Sequence, residues 1–131
     1  MKKSILSLFF VLLSSFLVAQ ARLDISVNEI EKEYSALSLV TGYDKDNDYY
    51  ILVELERAAV YYFFKTKKTP CYLTVIYPLN QGDLNFYVDL YNKQYAIISP
   101  TKWRMYNFGG YADIDLRFEE ELSYFVWSKP E

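Results

Sequence analysis

Two hydrophobic periods alternate along this chain, and the switches between them divide it into elements. After Ser26-Val27-Asn28-Glu29, apolar Val27, Ile30, Tyr34 and Leu37 recur at spacings of three and four. That is one stripe of a helix running to about Ala36. Ser26 is its N-cap, placed to accept from the Glu29 amide while Glu29 reaches back. Gly42 and the polar run Asp44-Lys45-Asp46-Asn47-Asp48 end this region. Strand patterns follow at Tyr49–Glu56, at Ala58–Phe64 and from Cys71 onward, the last two joined by the turn KTKKTP. A second helical stripe, Leu84, Tyr87, Val88, Tyr91 and Tyr95, begins behind Asp83 as the expected N-cap. The tail returns to strand patterns in WRMYN, YADIDLRF and SYFVWS, with turns at FGG and EEE.

The order is helix, three strands, helix, three strands, which prompts a test for an internal repeat, 26–79 against 80–131. A shift of 54 residues sets Ile30 over Leu84, Tyr34 over Val88 and Ile51 over Met105. It also sets Ala58, Val60, Tyr62 and Phe64 over Ala112, Ile114, Leu116 and Phe118. With two residues deleted in the turn, Leu73 and Val75 fall over Phe125 and Trp127. The expected fold is α+β: two α-β-β-β units forming an antiparallel sheet with two helices on one face. This order, with strands of the YYFF…CYLTVIYP kind, resembles the tandem helix-plus-strands modules of the beta-lactamase-inhibitor-protein and PepSY type. Those are small exported binding or inhibitory domains, and the resemblance covers most of residues 22–131. It is a likeness of fold with no diagnostic motif, so it implies no residue roles.

The strand ADIDLRF alternates cleanly, with Ala112, Ile114, Leu116 and Phe118 inward and Asp113, Asp115 and Arg117 outward. Its counterpart AAVYYFF is apolar on both sides. If Ala58, Val60, Tyr62 and Phe64 are inward, then Ala59, Tyr61 and Phe63 point outward. The same alternation on the neighbouring strands adds Tyr50 and Leu52, then Tyr72 and Ile76. The first half would thus present an aromatic face, and the second half a charged one. Tyr50, Leu52, Tyr61, Phe63, Tyr72 and Ile76 are accordingly the protein-contact candidates. The alternatives are that a terminus, loop or helix covers this face, or that the alternation slips at a bulge.

The N-terminus changes the compartment. MKKSILSLFFVLLSSFLVAQA has two lysines, an apolar stretch from Ile5 to Val18 and the small-x-small pattern Ala19-Gln20-Ala21. This is the layout of a secretory signal peptide, residues 1–21, cleaved after Ala21 or after Ala19. The apolar span is too short, and too interrupted by serine, for a membrane anchor. The expected product is one exported domain, 22–131, periplasmic or extracellular and without a transmembrane anchor. The chain has 14 Lys and Arg against 17 Asp and Glu, and Lys2 and Lys3 leave with the signal. Such an acidic domain is not expected to bind nucleic acid. Cys71 is the only cysteine, so no internal disulfide forms; a buried, inert thiol is expected.

Candidate chemistry is sparse. The sequence has no histidine, which removes the commonest general base and the usual zinc ligand. Asp44, Asp46 and Asp48 are spaced like the first ligands of a calcium loop, but Tyr49 stands where glycine is needed and Leu55 where the bidentate glutamate should be. A polar turn is the expectation there, with these three as weak metal candidates. Glu54 with Glu56, and Asp113 with Asp115, lie two apart on strands and suit a solvated face. Lys65, Lys67 and Lys68 crown one hairpin and Glu119, Glu120 and Glu121 another. No cofactor and no enzymatic activity are expected. The leading expectation is an exported, non-catalytic binding or inhibitory module with an unknown protein partner. An envelope-assembly component is the second reading, and a carboxylate-dependent hydrolase the third.

Overall fold

A computed structural model describes residues 21–107 and 109–130; residues 1–20, which hold nearly all of the expected signal peptide, lie outside the described residues. The chain is α+β, with two helices and one eight-stranded antiparallel sheet. Helix α1 spans Val27–Glu33 and is followed by β1 (Val40–Tyr43), β2 (Tyr49–Glu54), β3 (Ala58–Phe64) and β4 (Cys71–Pro78). Helix α2 (Gln81–Gln94) then precedes β5 (Ala96–Ser99), β6 (Lys102–Asn107), β7 (Gly110–Glu119) and β8 (Leu122–Ser128). The spatial order is β1-β2-β3-β4-β8-β7-β6-β5, so β4 and β8 meet at the centre. Among the described residues, no helix is long and apolar enough to cross a membrane.

Four strands follow each helix where three were expected. The additional pair, β1 and β5, are the two edge strands. Each has a single neighbour and four residues, mostly exposed, so no alternation of burial marks them in sequence. α1 starts as its pattern predicts, with the Glu29 amide donating to Ser26 Oγ at 3.2 Å. It ends at Glu33, short of Ala36, because Tyr34 is the last residue on its stripe to reach the core; Leu37 is exposed. The cap of α2 is Asn80, three residues before the expected Asp83. Its side chain accepts from the Asp83 amide at 2.9 Å, leaving the Asp83 carboxylate in the first turn to pair with Arg57.

One core joins the helices to the sheet. Val27, Ile30 and Tyr34 of the α1 region and Leu84, Tyr87 and Tyr91 of α2 share a single buried cluster with residues of β2, β3, β4, β6, β7 and β8. Strand pairing arranges the sheet's contribution in rows. Ile51, Tyr62, Thr74, Trp127, Ile114 and Trp103 form one; Val53, Val60, Ile76, Phe125 and Leu116 form the next. The polar atoms carried into this core have partners. Tyr34 and Tyr62 share a hydroxyl–hydroxyl bond of 2.9 Å, and Trp103 Nε1 donates to Asn92 at 2.7 Å. Burial pushes the Tyr62 hydroxyl well above the usual tyrosine range. Cys71 is buried, donates to the Leu73 carbonyl at 3.4 Å and has its thiol pKa raised by burial, as befits an inert thiol.

The alternation slips at one place. Phe63 pairs with Leu73 and Phe64 with Cys71, leaving Tyr72 without a cross-strand partner, a bulge of one residue. Beyond it the faces of β4 are the reverse of those expected. Thr74 and Ile76 enter the core, whereas Leu73, Val75 and Tyr77 share the face of Phe63, Tyr61 and Ala59. The expected match of Leu73 and Val75 to Phe125 and Trp127 is not met in burial, since Phe125 and Trp127 belong to the main core and Leu73 and Val75 to the outer cluster. Phe118, expected inward, is exposed because its partner near the hairpin tip is Ser123 rather than a core residue.

Deletions separate the bulge from the paired register. Removing Tyr72 joins Cys71 to Leu73 and keeps every other β4 side chain on its own face, so a loss of about 1–2 kcal/mol is expected in urea unfolding. Removing Val75 instead flips one end of the strand and should leave no cooperative transition.

Candidate functional site

The outer face, opposite the core rows, is built by the same pairings. Tyr50, Phe63, Leu73, Ser128, Asp113 and Arg104 form one row across β2, β3, β4, β8, β7 and β6. Leu52, Tyr61, Val75, Val126, Asp115 and Lys102 form the next. Glu54, Ala59 and Tyr77 begin a third, with Tyr124 beside Tyr77 at 5.2 Å between ring centroids. The first two rows are apolar from β2 through to β4 or β8 and charged on β7 and β6; the third is charged already at Glu54 on β2 and apolar from β3 to β8. The boundary falls at β7 and not between the two halves of the sequence, because β8 contributes Tyr124 and Val126 to the apolar side.

Val75, Tyr124 and Val126 form a second buried cluster, with Tyr61, Phe63, Leu73 and Tyr77 packed on it. All seven come from β3, β4 and β8; among the described residues, no apolar side chain of a helix or loop packs on them. The rings cover one another instead. Tyr61 and Phe63 stack at 6.0 Å and 14°, Tyr50 lies 5.7 Å from Tyr61, and Tyr77 meets Tyr61 edge-on at 5.8 Å. Ala59, Tyr61, Phe63, Tyr77 and Leu122 line an open hollow of about 330 Å³.

The sequence candidates divide accordingly. Tyr50, Leu52, Tyr61 and Phe63 point outward and are half-buried among themselves. Ile76 is fully buried and is corrected from a contact candidate to a core residue. Tyr72, at the bulge, gives its hydroxyl to Asp48 and lies under Lys65, whose Nζ is 4.2 Å from the ring centroid. Partial burial, and then the Asp48 carboxylate, raise its pKa. Leu73, Val75, Tyr77, Tyr124 and Val126 were missed. SYFVWS carries the signal for the last two, since inward Phe125 and Trp127 leave Tyr124 and Val126 outward. For β4, no sequence signal marks the bulge.

Asp44, Asp46 and Asp48 build a turn. Asp44 Oδ1 accepts from the Asp46 and Asp48 amides, each at 2.9 Å, and Asn47 takes the left-handed conformation with φ 65°. Asp48 turns away to Tyr72 and to Lys65 at 3.6 Å. Among the described residues, no three metal-ligating side chains converge. Of the outward carboxylate pairs, Asp113 is held by Arg104 at 2.8 Å and by Lys102 at 3.5 Å. The Arg104 hydrogen bond keeps its pKa below the usual range. Glu54 and Glu56 are exposed. No protein-family description, curated protein or solved structure matches this chain.

Neighbouring residues on β3 test this face. Phe64→Ala empties a core position and should cost about 3–5 kcal/mol. Phe63→Ala removes one ring from the outer layer and should cost about 1 kcal/mol, measured by urea unfolding. Equal losses would make both faces core.

Proposed function

We propose that this chain is an exported, non-catalytic binding or inhibitory module that engages a protein through the outer face of its sheet. One observation carries the reading: an apolar cluster on β3, β4 and β8, extended by Tyr50 and Leu52 on β2, has no helix residue packed on it among the described residues. Tyrosine suits such a surface, offering large contact area at a low cost in side-chain freedom. The shared core cluster supports a finer architecture of two α-β-β-β-β units with both helices on the other face. On that arrangement the helices supply stability and leave the outer face to recognition. The histidine-free sequence and the ion-paired Asp113 favour a binding role over hydrolysis.

Export is the second part of the proposal, supported by the lysine, apolar and small-x-small layout of residues 1–21. Mass spectrometry of the protein from its producing cells should find an N-terminus at Arg22, or at Gln20 if Ala19 ends the signal. Intact Met1 in a membrane-integrated form would contradict export.

Affinity capture from the cell envelope tests the surface. The wild-type chain should retain a partner that Phe63→Ala loses by at least tenfold, while a surface control, Glu31→Gln on α1, retains it. Capture unchanged by Phe63→Ala would remove the sheet face from the interaction.

A further inference from the structure

The chemistry of the partner follows from the size of the outer face and the charges around it. The apolar block is four strands wide and three rows deep, on the order of 15–20 Å each way, or roughly 200–400 Å². A stable globular interface needs about 800 Å² per partner. A second copy laid face to face would fall well short of that, and the block suits a short segment of polypeptide.

The rim fixes the sign. Glu54 on β2 and Glu119 on β7 flank the hollow, with Glu56, Glu120 and Glu121 beyond them. None of the five forms an ion pair with a described residue; Glu119 accepts from the Tyr124 hydroxyl. The nearby cations are mostly engaged, Arg57 with Asp83 and both Lys102 and Arg104 with Asp113, leaving Arg117 unpaired on this rim. The rings point the same way. Lys65, Lys67, Arg57 and Arg104 lie over Tyr72, Tyr43, Tyr49, Phe86 and Tyr111. Among the described residues, no cation lies over Tyr50, Tyr61, Phe63, Tyr77 or Tyr124, although such rings attract one.

Resting on the surface reading above, we infer that the outer face takes a short polypeptide segment with basic residues at both ends and apolar residues between. Glu54 and Glu119 stand four strand spacings apart and one same-face step out of line, Arg117 being the β7 residue in the row of Glu54, so they are separated by roughly 20 Å. About seven extended residues span that distance, and the first and seventh point to the same side. The apolar middle fills the hollow over Ala59, Tyr61 and Tyr77, and the end cations meet the two carboxylates.

The test is an NMR titration of the isotope-labelled protein, with two end-blocked heptapeptides at low and high salt. One has lysine at both ends of Ser-Leu-Ser-Leu-Ser, which sets both lysines and both leucines on one side, and the other has glutamate in place of lysine. The lysine peptide should shift amides of β2, β3, β4 and β8 and weaken at high salt, with the glutamate peptide at least tenfold weaker. Glu54→Gln with Glu119→Gln should weaken the lysine peptide roughly fivefold, whereas Glu31→Gln should not. Equal binding of the two peptides, or a rim double variant that binds as wild type does, would overturn the inference. So would a concentration-dependent dimer in sedimentation that Phe63→Ala dissociates, because the occupant would then be a second copy. If the inference falls while Phe63→Ala still abolishes capture from the envelope, the surface reading stands and only the cationic chemistry is wrong. If capture is also unaffected, both fall.

Discussion

Which way β4 faces depends on the unpaired residue Tyr72, and the outer surface depends on β4. With the bulge, Thr74 and Ile76 enter the core and Leu73, Val75 and Tyr77 turn outward to meet Tyr61 and Phe63. β4 then passes this phase to β8, because Val75 pairs with Val126 and Ile76 with Phe125. Tyr124 and Val126 are thereby set outward beside it. The bulge is held in place on both sides. The Cys71 amide and carbonyl are tied to Ile25 and Asp24, at 2.9 and 2.8 Å, and the Tyr72 hydroxyl is bound to Asp48. With Tyr72 paired to Phe63 instead of bulged, β4 would have buried those outward side chains and exposed Thr74 and Ile76.

The sheet consequently has two apolar faces of different kinds. The inner one shares its buried cluster with helix residues, and its polar atoms are paired, as where Trp127 Nε1 reaches the Tyr91 hydroxyl at 3.3 Å. Among the described residues the outer one is covered by its own rings, and each such aromatic pair adds about 0.5–1.5 kcal/mol beyond simple burial. These rings therefore stabilise the isolated chain while remaining available to a partner. The acidic rim, with no cation over these rings among the described residues, is what gives that availability its inferred chemical preference.

Much of the architecture was legible where burial imposes a period. Ser26 and the stripe of Val27, Ile30 and Tyr34 marked α1, and the alternation in AAVYYFF gave the right inward set of Ala58, Val60, Tyr62 and Phe64. The edge strands were not legible, because a strand with one neighbour and little burial carries no period. The bulge was not legible either. CYLTVIYP reads almost equally well in both phases, being apolar on each face apart from Thr74. That ambiguity misplaced Ile76 and hid Leu73, Val75 and Tyr77. Tyr124 and Val126 were within reach, since SYFVWS is as two-sided as AAVYYFF.

The central claim is that the outer rings of β3 and β4 face solvent in the isolated chain while their neighbours one residue away do not. NMR of the aromatic side chains with a soluble paramagnetic probe measures this directly. Broadening of Tyr61, Phe63 and Tyr77, with Tyr62, Phe64 and Phe125 unaffected, is the predicted result. Equal protection of both sets would mean that the outer face is covered in solution, contradicting its assignment as a contact surface.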